Sequence, residues 1–319
     1  MSIKLSICIP TFNRSEKLEE LLCSIANSKN VDFSEIEVCV SDNCSSDGTR
    51  EVLNRWQKDS VFRLKVNFND ENIGAERNFF KVLEMSEGKH VTLMGSDDLY
   101  PDNALNSVFS YINRDFDFIF LDIKTFINSP NEKLDDRFSF EVNSNVYFLN
   151  KNEILSFFGT ELNYISSLFI KREYYLSDFK NEDVLNELHE YGFSYIYKFL
   201  SLLPQSLNGV FIKDMHILNR SGEYDVWYDH KKYFLVGMGK VLNLLRMEGY
   251  SEKTIKKAKY KNLKKYIGFK KFTVRNFFAG YRYYYNVPYY YLYMIFMLVP
   301  DAMLNSKSVK GIYRMIKGI

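Results

Sequence analysis

The first 122 residues alternate short runs of β-branched and apolar residues with longer amphipathic segments. This alternation is typical of parallel strands joined by crossover helices. The predicted strands are Leu5–Ile9, Ile36–Ser41, Phe62–Phe68, His90–Met94 and Asp117–Leu121. Most of these runs are apolar at successive positions, as expected where helices cover both faces of a sheet. The pattern therefore predicts a doubly wound α/β domain.

The amphipathic segments between the strands predict three helices. After the first strand, apolar residues at positions 18, 21, 22 and 25 share one helical face, and Ser15 is the predicted N-cap. Ser46 or Asp47 is the predicted cap of a helix over Thr49–Gln57, and the third helix is predicted over Ala75–Met85. In such folds ligands bind at the carboxyl ends of the strands, so the loops there are the expected place for a site.

The pattern changes twice further along the chain. Between about residue 123 and residue 225 it is irregular and includes the polar stretch NSPNEKLDDRFSFEVNSN, which indicates an inserted or following subdomain. From residue 226 onward the signal is helical. Tyr233–Met247 is apolar at helical spacing, and Ser251–Phe272 is rich in lysine.

Charge is distributed unevenly along the 319 residues. Residues 1–250 hold 27 Lys and Arg against 38 Asp and Glu, whereas residues 251–319 hold 15 against 2. The overall composition, with 46% hydrophobic and 26% charged residues, is that of a folded, enzyme-sized chain. The contents of 6 Pro and 15 Gly exclude collagen-like and linker-dominated architectures.

The four cysteines are Cys8, Cys23, Cys39 and Cys44, and none forms a CxxC pair, so no zinc site is expected. Cys8 and Cys39 lie in apolar strand-like runs, which favours buried, reduced thiols. The N-terminal segment lacks the apolar core of a signal peptide. These features predict a cytoplasmic protein.

Four of the loops that end the predicted strands carry polar residues: PTFNR at 10–14, DNCSSDGT at 42–49, NIGAERN at 72–78 and GSDD at 95–98. A carboxylate at the end of a buried strand, as at Asp42, suits a hydrogen bond to a base N–H or a ribose hydroxyl. The adjacent Asp97 and Asp98 suit a hard divalent cation that also bridges phosphates. Taken singly, each signal is weak, because an Asp-Asp pair in a turn is more often a helix cap or a solvated loop and SSDGT alone is typical of a helix start.

The order and spacing of IPTFNR, VSDNCSSDGT, ENIGAERN and LMGSDD resemble the nucleotide-binding half of family 2 glycosyltransferases, which have the GT-A fold. The resemblance covers residue 3 to about residue 110. SSLFIKREYY at 166–175 and the basic, aromatic tail resemble the branch that contains abequosyltransferases and related O-antigen sugar transferases. The resemblance implies a nucleotide-sugar-binding half over residues 1–122, an acceptor-side half over 123–225, and a helical, membrane-associating C-terminal region over 226–319.

Donor-binding residues follow from this resemblance. Pro10, Thr11 and Asn13 match the loop that wraps the base, and Asp42 matches the carboxylate that recognises the base. Arg77 matches the arginine of the family's Gly-x-x-x-Arg-Asn segment, which implies a place near base and phosphate.

The metal motif departs from the family pattern. Asp97 matches the last acid of the family's Asp-x-Asp motif, but Gly95 stands where the first acid is expected. Asp97 is therefore expected to bind Mn²⁺ or Mg²⁺ mainly through the donor's diphosphate, with Asp98 supporting the ion or contacting the sugar. The abequosyltransferase-like branch often has this Ser-Asp-Asp form.

Family membership also implies inversion at the anomeric carbon by direct displacement, which requires a base on the acceptor side. In the family this base is often the Asp of a Glu-Asp pair 80 to 100 residues past the metal motif, and Asp183 lies 86 residues after Asp97. Asp183 is thus the predicted catalytic base. Asp178 and the His189-Glu190 pair remain alternatives, and an acidic helix face in water is the competing interpretation. The four histidines show no metal-ligand spacing.

The basic tail has three interpretations: membrane binding, nucleic-acid binding and a solvated helix surface. Lysines occupy most polar positions of KKAKYKNLKKYIGFKKF, and the following segment carries eight tyrosines in thirteen residues, a mixture expected at a lipid headgroup boundary. The apolar stretch Tyr289–Val299 has eleven residues, fewer than the roughly 20 that span a bilayer. An anionic membrane surface is the predicted partner, and nucleic acid is not expected.

The sequence therefore predicts a metal-dependent glycosyltransferase at the inner face of a bacterial cell membrane, acting on a nucleoside-diphosphate sugar and a lipid-linked oligosaccharide acceptor for surface polysaccharide. A catalytically silent sugar-nucleotide-binding scaffold is the alternative, motivated by Gly95. A nucleotidyltransferase is disfavoured because such enzymes need a glycine-rich, basic loop after the first strand, and IPTFNR has no glycine.

Overall fold

A computed structural model describes residues 2–127, 129–130, 135–136, 140, 142–177, 179, 182–221 and 236–266. Its strands are β1 Leu5–Thr11, β2 Ile36–Asp42, β3 Arg63–Phe68, β4 His90–Leu93, β5 Phe118–Phe126, β6 Asp135–Asp136, β7 Val146–Asn150, β8 Leu168–Lys171 and β9 Ser206–Arg220. Its helices are α1 Ser15–Ala26, α2 Thr49–Asp59, α3 Ala75–Glu84, α4 Ala104–Ile112, α5 Lys151–Phe158, α6 Glu173–Leu176, α7 Glu182–His189, α8 Ser194–Leu202, α9 Met238–Leu244 and α10 Glu252–Tyr266.

All nine strands belong to one sheet, in the order β3-β2-β1-β4-β8-β5-β9-β7, with β6 paired to β5. The first four strands are parallel, which confirms the predicted doubly wound arrangement. β8 then inserts antiparallel between β4 and β5, a feature that the sequence pattern did not predict. Residue 122, the predicted boundary, falls inside β5. The sheet continues from β5 through β9 to β7, so the sheet has no break at this residue.

Apolar layers cover both faces of the sheet. On β1, the side chains of Ile7 and Ile9 pack into one core cluster while that of Cys8 packs into the other. Cys8 and Cys39 are buried register partners on neighbouring strands, as predicted for core thiols. Because successive residues of a strand point to opposite faces, two covered faces favour apolar residues at successive positions, and buried polar residues such as Ser6 and Glu37 interrupt these runs.

In the C-terminal third, α9 lies inside the predicted helix Tyr233–Met247, and α10 lies inside the lysine-rich stretch Ser251–Phe272. None of the helices in the described part of the chain is both long and apolar enough to cross a membrane. The predicted interfacial segment Tyr289–Val299 and the alternative base Asp178 lie outside the described residues.

Candidate functional site

The predicted donor-binding loops meet at the carboxyl edge of the sheet. Thr11, at the end of β1, is the register partner of Asp42 at the end of β2, and Asp42 in turn is the partner of Phe68. Pro10 is a buried strand residue beyond the end of β4, which stops at Leu93 opposite Cys8. A proline is tolerated there because it lies past the last residue pair of the β1–β4 ladder, where no ladder hydrogen bond from its nitrogen is needed.

Asn13 fastens the loop after β1 to the loop after β2. Its backbone N–H donates to Ser45 Oγ at 2.8 Å, and its Oδ1 accepts from the Ser46 N–H at 2.8 Å. Asn13 has φ 50, a left-handed conformation that asparagine adopts more readily than most residues. The predicted base-wrapping loop is therefore held in place before any ligand binds.

The Asp47 carboxylate accepts a hydrogen bond from the first backbone N–H of each of two helices. Its Oδ2 accepts from the backbone N–H of Ser15 at 2.9 Å, and its Oδ1 accepts from that of Thr49 at 3.0 Å. The N-cap residue of α2 is Gly48, so the prediction of Ser46 or Asp47 at that position was wrong, although the Asp47 carboxylate does accept from the first N–H of the helix. The prediction that Ser15 caps α1 was wrong, because Ser15 is the first helical residue and the Asp47 carboxylate satisfies its N–H instead.

Asp42 lies at the floor of these loops and is 1% exposed. Its Oδ1 accepts from Ser45 Oγ at 2.5 Å, which fixes the carboxylate at the strand end. Beside it, Thr11 Oγ1 is buried and has no hydrogen-bond partner among the described residues. A buried polar atom without a partner is costly, so this hydroxyl is suited to meet a ligand.

A network of asparagines, which sequence reasoning missed, joins these loops to α3. Asn78 Nδ2 donates to the backbone oxygen of Ser41 at 2.9 Å, and its Oδ1 accepts from Asn69 at 3.0 Å. Asn43 accepts from the N–H of Ile73 at 3.0 Å. The signal was present in the sequence as four asparagines near the ends of β2 and β3, at positions 43, 67, 69 and 72, with Asn78 further on in α3.

Asp97 is 3% exposed and faces the start of α1. Arg14 Nη1 lies 2.9 Å from Asp97 Oδ2, and Arg220 Nε donates to the Asp97 backbone oxygen at 3.2 Å. The acid that matches the family's metal ligand therefore has a cation beside it. Neither arginine was predicted to contact Asp97. Arg220 is 123 positions away in sequence and reaches Asp97 only through the fold.

The Asp98 carboxylate is satisfied by four protein donors. Oδ2 accepts from the Tyr164 hydroxyl at 2.7 Å and the Ser166 hydroxyl at 2.5 Å. Oδ1 accepts from Asn219 Nδ2 at 2.9 Å and from the Arg220 N–H at 3.2 Å. Burial and the neighbouring Asp97 charge nevertheless raise the pKa of Asp98 to about 6. These contacts suit Asp98 to hold the loop in shape beside Asp97.

Gly95 is placed where an added side chain would crowd this acid pair. A Cβ at this position would lie 3.0 Å from Asp98 Oδ2 and 3.1 Å from Asp97 Oδ1. The Gly95 N–H also donates to Ser166 Oγ at 3.0 Å, so the same hydroxyl contacts both the glycine and Asp98. A side chain at this position would therefore push the two carboxylates aside by a few tenths of an ångström, and an acidic one would add a third negative charge beside them.

The residues present fit a divalent cation only if the substrate supplies most of its ligands. No group of three or more His, Cys, Asp or Glu side chains in the described ranges is arranged to hold a metal. Asp98 is engaged by four donors, which leaves Asp97 as the acidic ligand. Mg²⁺ and Mn²⁺ are commonly bound through one or two carboxylates plus substrate phosphates, so one carboxylate is compatible with such an ion.

Arg77 is exposed and lines a cavity of about 380 Å³ together with residues 73–76 and with His189, Glu190 and Gly192. Asp183 is exposed in the first turn of α7 and makes no hydrogen bond or ion pair within the described part of the chain. The structure thus brings Pro10, Thr11, Asn13 and Asp42 together at one edge, whereas it gives Asp183 no contact that would orient it.

Comparison with known proteins agrees with this architecture. Salmonella typhimurium "Abequosyltransferase RfbV" is 33% identical over 178 residues, which are 53% of each chain. Campylobacter jejuni "GalNAc(5)-diNAcBac-PP-undecaprenol beta-1,3-glucosyltransferase" is 36% identical over 118 residues, 37% of each chain. The chain thus aligns with about half, or less, of the length of these curated relatives.

Solved structures share the fold over nearly the whole chain. Staphylococcus aureus TarS in complex with UDP-GlcNAc has a TM-score of 0.63 at 16% identity, covering 98% of this chain and 92% of that one. The mannosyltransferase PcManGT from Pyrobaculum calidifontis, in complex with GDP-Man and Mn²⁺, has a TM-score of 0.56 at 12% identity, covering 100% of this chain and 80% of that one. The GT-A-like α/β fold is therefore shared at low sequence identity.

The sequence profile described as "Glycosyl transferase family 2" matches residues 6–177, which span β1 to α6 and include Asp42, Arg77 and Asp97. The chain belongs to glycosyl transferase family 2.

Proposed function

We propose that this protein transfers a sugar from a nucleoside-diphosphate sugar to a hydroxyl of a lipid-linked oligosaccharide, with inversion at the anomeric carbon. The observation that carries the proposal is that Asp42, Asp97 and the Thr11 hydroxyl, which has no partner among the described residues, lie at the carboxyl edge of the sheet in a family 2 chain. A nucleotide placed along this edge would put its base near Asp42 and Thr11 and its diphosphate near Asp97 and Arg14.

Each proposed donor-site residue has a distinct part. Asp42 and Thr11 hydrogen-bond the nucleoside, and Pro10 and Asn13 set the path of the loop that covers it. Arg77 is exposed at the rim and contacts base or phosphate. Arg14 offers a guanidinium to the diphosphate, a planar donor well matched to phosphate oxygens. Asp98 holds the shape of the loop that carries Asp97.

Asp97 would hold Mn²⁺ or Mg²⁺. Such an ion neutralises charge on the departing nucleoside diphosphate. The chain's own contribution is to keep the Asp97 carboxylate in a buried position and to supply the Arg14 cation beside it. Asp183 is the proton acceptor proposed from the sequence, and the exposed first turn of α7 leaves it accessible to an acceptor.

Donor binding is tested by melting temperature. Four nucleotides are tested: UDP, CDP, GDP and dTDP. We expect one of them to raise the melting temperature in the presence of Mn²⁺ and to raise it less when EDTA is added. A ligand at 100 times its Kd stabilises the folded state by about 2.7 kcal/mol. The matched control is Asp42→Asn, which should weaken the shift without unfolding the protein. No shift with any nucleotide would contradict the donor site.

A silent scaffold is the second candidate, favoured by Gly95 and by the four donors that occupy Asp98. The two candidates separate in an assay for release of nucleoside diphosphate. Turnover of a sugar nucleotide supports the enzyme. Nucleotide binding without turnover on lipid-linked acceptors or water supports the scaffold.

The membrane proposal rests on charge and on a relative's substrate. Residues 251–319 carry 15 basic and 2 acidic residues, and the Campylobacter relative is named for an undecaprenol-linked acceptor. These two points support the proposed peripheral location, and the cytoplasmic face is the side predicted from the sequence. Basic residues near an anionic surface contribute about 1 kcal/mol each.

Vesicle binding checks this location. The full chain should sediment with vesicles containing phosphatidylglycerol and not with neutral phosphatidylcholine vesicles, and high salt should weaken the binding. A chain lacking residues 281–319 should remain in the supernatant. Equal binding of both chains would rule out the anchor.

A further inference from the structure

A buried cluster of three chemically active side chains lies beside the cavity, outside the donor-site residues described above. Glu76, on the first turn of α3, is 7% exposed, and Ser194, the first residue of α8, is fully buried. Glu76 Oε2 accepts from the Ser194 N–H at 2.7 Å and also from the Ser194 hydroxyl. His189, at the end of α7, places Nδ1 2.9 Å from Ser194 Oγ and 3.5 Å from Glu76 Oε2.

The hydrogen-bond arithmetic of this cluster selects one histidine tautomer. An ionised carboxylate only accepts, so the single Ser194 hydroxyl proton points to Glu76. Ser194 Oγ must then accept from His189, which places the imidazole proton on Nδ1. Nε2 is left with its lone pair and has no protein partner among the described residues. The ring is also fixed by Phe80, whose centroid lies 5.8 Å away in an edge-to-face arrangement.

Glu76 is suited to stabilise a positive charge on this ring. Its Oε1 is buried without a hydrogen-bond partner in the described part of the chain. The carboxylate therefore retains acceptor capacity next to the imidazole. When His189 takes up a proton, a charge-assisted contact with Glu76 becomes available at short range in a low-dielectric setting. Glu76 thus holds Ser194, Ser194 orients the imidazole, and the carboxylate charge lies 3.5 Å from Nδ1.

Two hydrogen bonds connect the cluster to the acid pair. Tyr195, the residue after Ser194, donates from its hydroxyl to the backbone oxygen of Asn163. Tyr164, the next residue, donates to Asp98 Oδ2 at 2.7 Å. On its other side the cavity is bounded by Ile73, whose N–H donates to Asn43, the residue after Asp42. Hydrogen-bonded segments thus join the walls of the cavity to both the nucleoside loops and the acid pair.

We infer that His189, oriented by Ser194 and Glu76, is the general base of the transfer, in place of Asp183. This rests on the proposed function. His189 Nε2 removes the proton from the attacking acceptor hydroxyl, and the oxygen forms the new bond to the anomeric carbon. The bond from that carbon to the phosphate oxygen breaks, and its electron pair leaves with the nucleoside diphosphate. The imidazolium then releases its proton to water.

Kinetics of His189→Ala test this assignment. General-base removal costs about 10²- to 10⁴-fold in turnover, so we expect at least a 100-fold loss in kcat with the nucleotide-induced melting shift unchanged. Added imidazole should restore part of the activity, because it fills the vacated space and supplies the missing base. Rescue is a readout that loss of a merely structural contact would not show. The matched control on the same helix is Glu187→Gln, which removes an exposed carboxylate paired with Lys240 and should stay within threefold of the unmodified protein.

Glu76→Gln examines the positioning role without a change of size. The amide oxygen can still accept from Ser194, so the fold and the nucleotide shift should persist, while kcat should fall about tenfold or more with little change in KM. The inference is overturned if His189→Ala keeps normal turnover, if imidazole gives no rescue, or if Asp183→Asn loses turnover instead. In each of these outcomes the unmodified protein still binds the nucleotide and turns over. If the proposed function is wrong, the unmodified protein shows neither nucleotide binding nor turnover.

Discussion

Replacing Asp97 by alanine should abolish sugar transfer while leaving the melting temperature nearly unchanged. We expect kcat to fall by about 10²- to 10³-fold or more, because the side chain is the proposed acidic metal ligand beside the departing diphosphate and such electrostatic contacts are worth about 3–4 kcal/mol in the transition state. The fold should tolerate the change. Arg14, the residue that loses its partner, has a side chain that is 30% exposed and can be solvated by water.

The measurement is release of nucleoside diphosphate with and without added Mn²⁺, together with the melting temperature. Asp102→Asn is a suitable control, since it removes the same charge five positions along from an exposed ion pair with Lys29. Turnover within tenfold of the unmodified protein would remove Asp97 from the metal site. Asp97→Asn adds a size-matched comparison, in which the loss should be attributable to charge.

Asp98→Ala should instead destabilise the fold. The variant removes the common acceptor of Tyr164, Ser166, Asn219 and the Arg220 N–H, and the donor groups of Ser166 and Asn219 lie on buried residues. Loss of buried hydrogen bonds of this kind costs about 1–3 kcal/mol per unsatisfied group. Relief of the buried charge offsets part of that cost. We expect a net loss of about 3 kcal/mol in the free energy of unfolding.

Urea unfolding measures this loss, and Asp98→Asn is the matched variant. Its amide oxygen can still accept from Asn219 and the Arg220 N–H, and the Tyr164 and Ser166 hydroxyls can rotate to accept from its amide nitrogen. The asparagine variant should therefore lose less than half as much stability as the alanine variant. An alanine variant as stable as the unmodified protein would show that these four contacts do not hold the loop.

The sequence was most informative where the local pattern is dictated by burial on both faces. β1, β2 and β4 occur within about one or two residues of their predicted bounds, because apolar residues at successive positions admit few alternatives. β8 and β9 were not resolved from the pattern. β9 mixes lysine, aspartate and histidine with apolar residues, and its place in the sheet depends on pairing with strands far away in sequence.

The site divides in the same way. Asp42 and Asp97 could be proposed as site residues because they follow apolar strands and match family segments. The partners of Asp98 could not, since Tyr164 and Arg220 are 66 and 122 positions away and reach it only through the fold. Likewise, nothing local in the sequence joins Glu76 to Ser194, which lies 118 positions further on. Long-range hydrogen bonds of this kind carry no periodic signal.

The two hydrogen bonds that Asp47 accepts at the starts of α1 and α2 lower the free-energy cost of binding a nucleotide. One carboxylate joins the beginnings of α1 and α2, and Asn13 ties the preceding loops to each other, so the two loops around Asp42 form one mechanical unit. A nucleotide that enters between them meets groups whose conformational entropy was lost during folding. Little of the binding free energy is then consumed in ordering the protein, and affinity is set by the match between the ligand and a preformed surface.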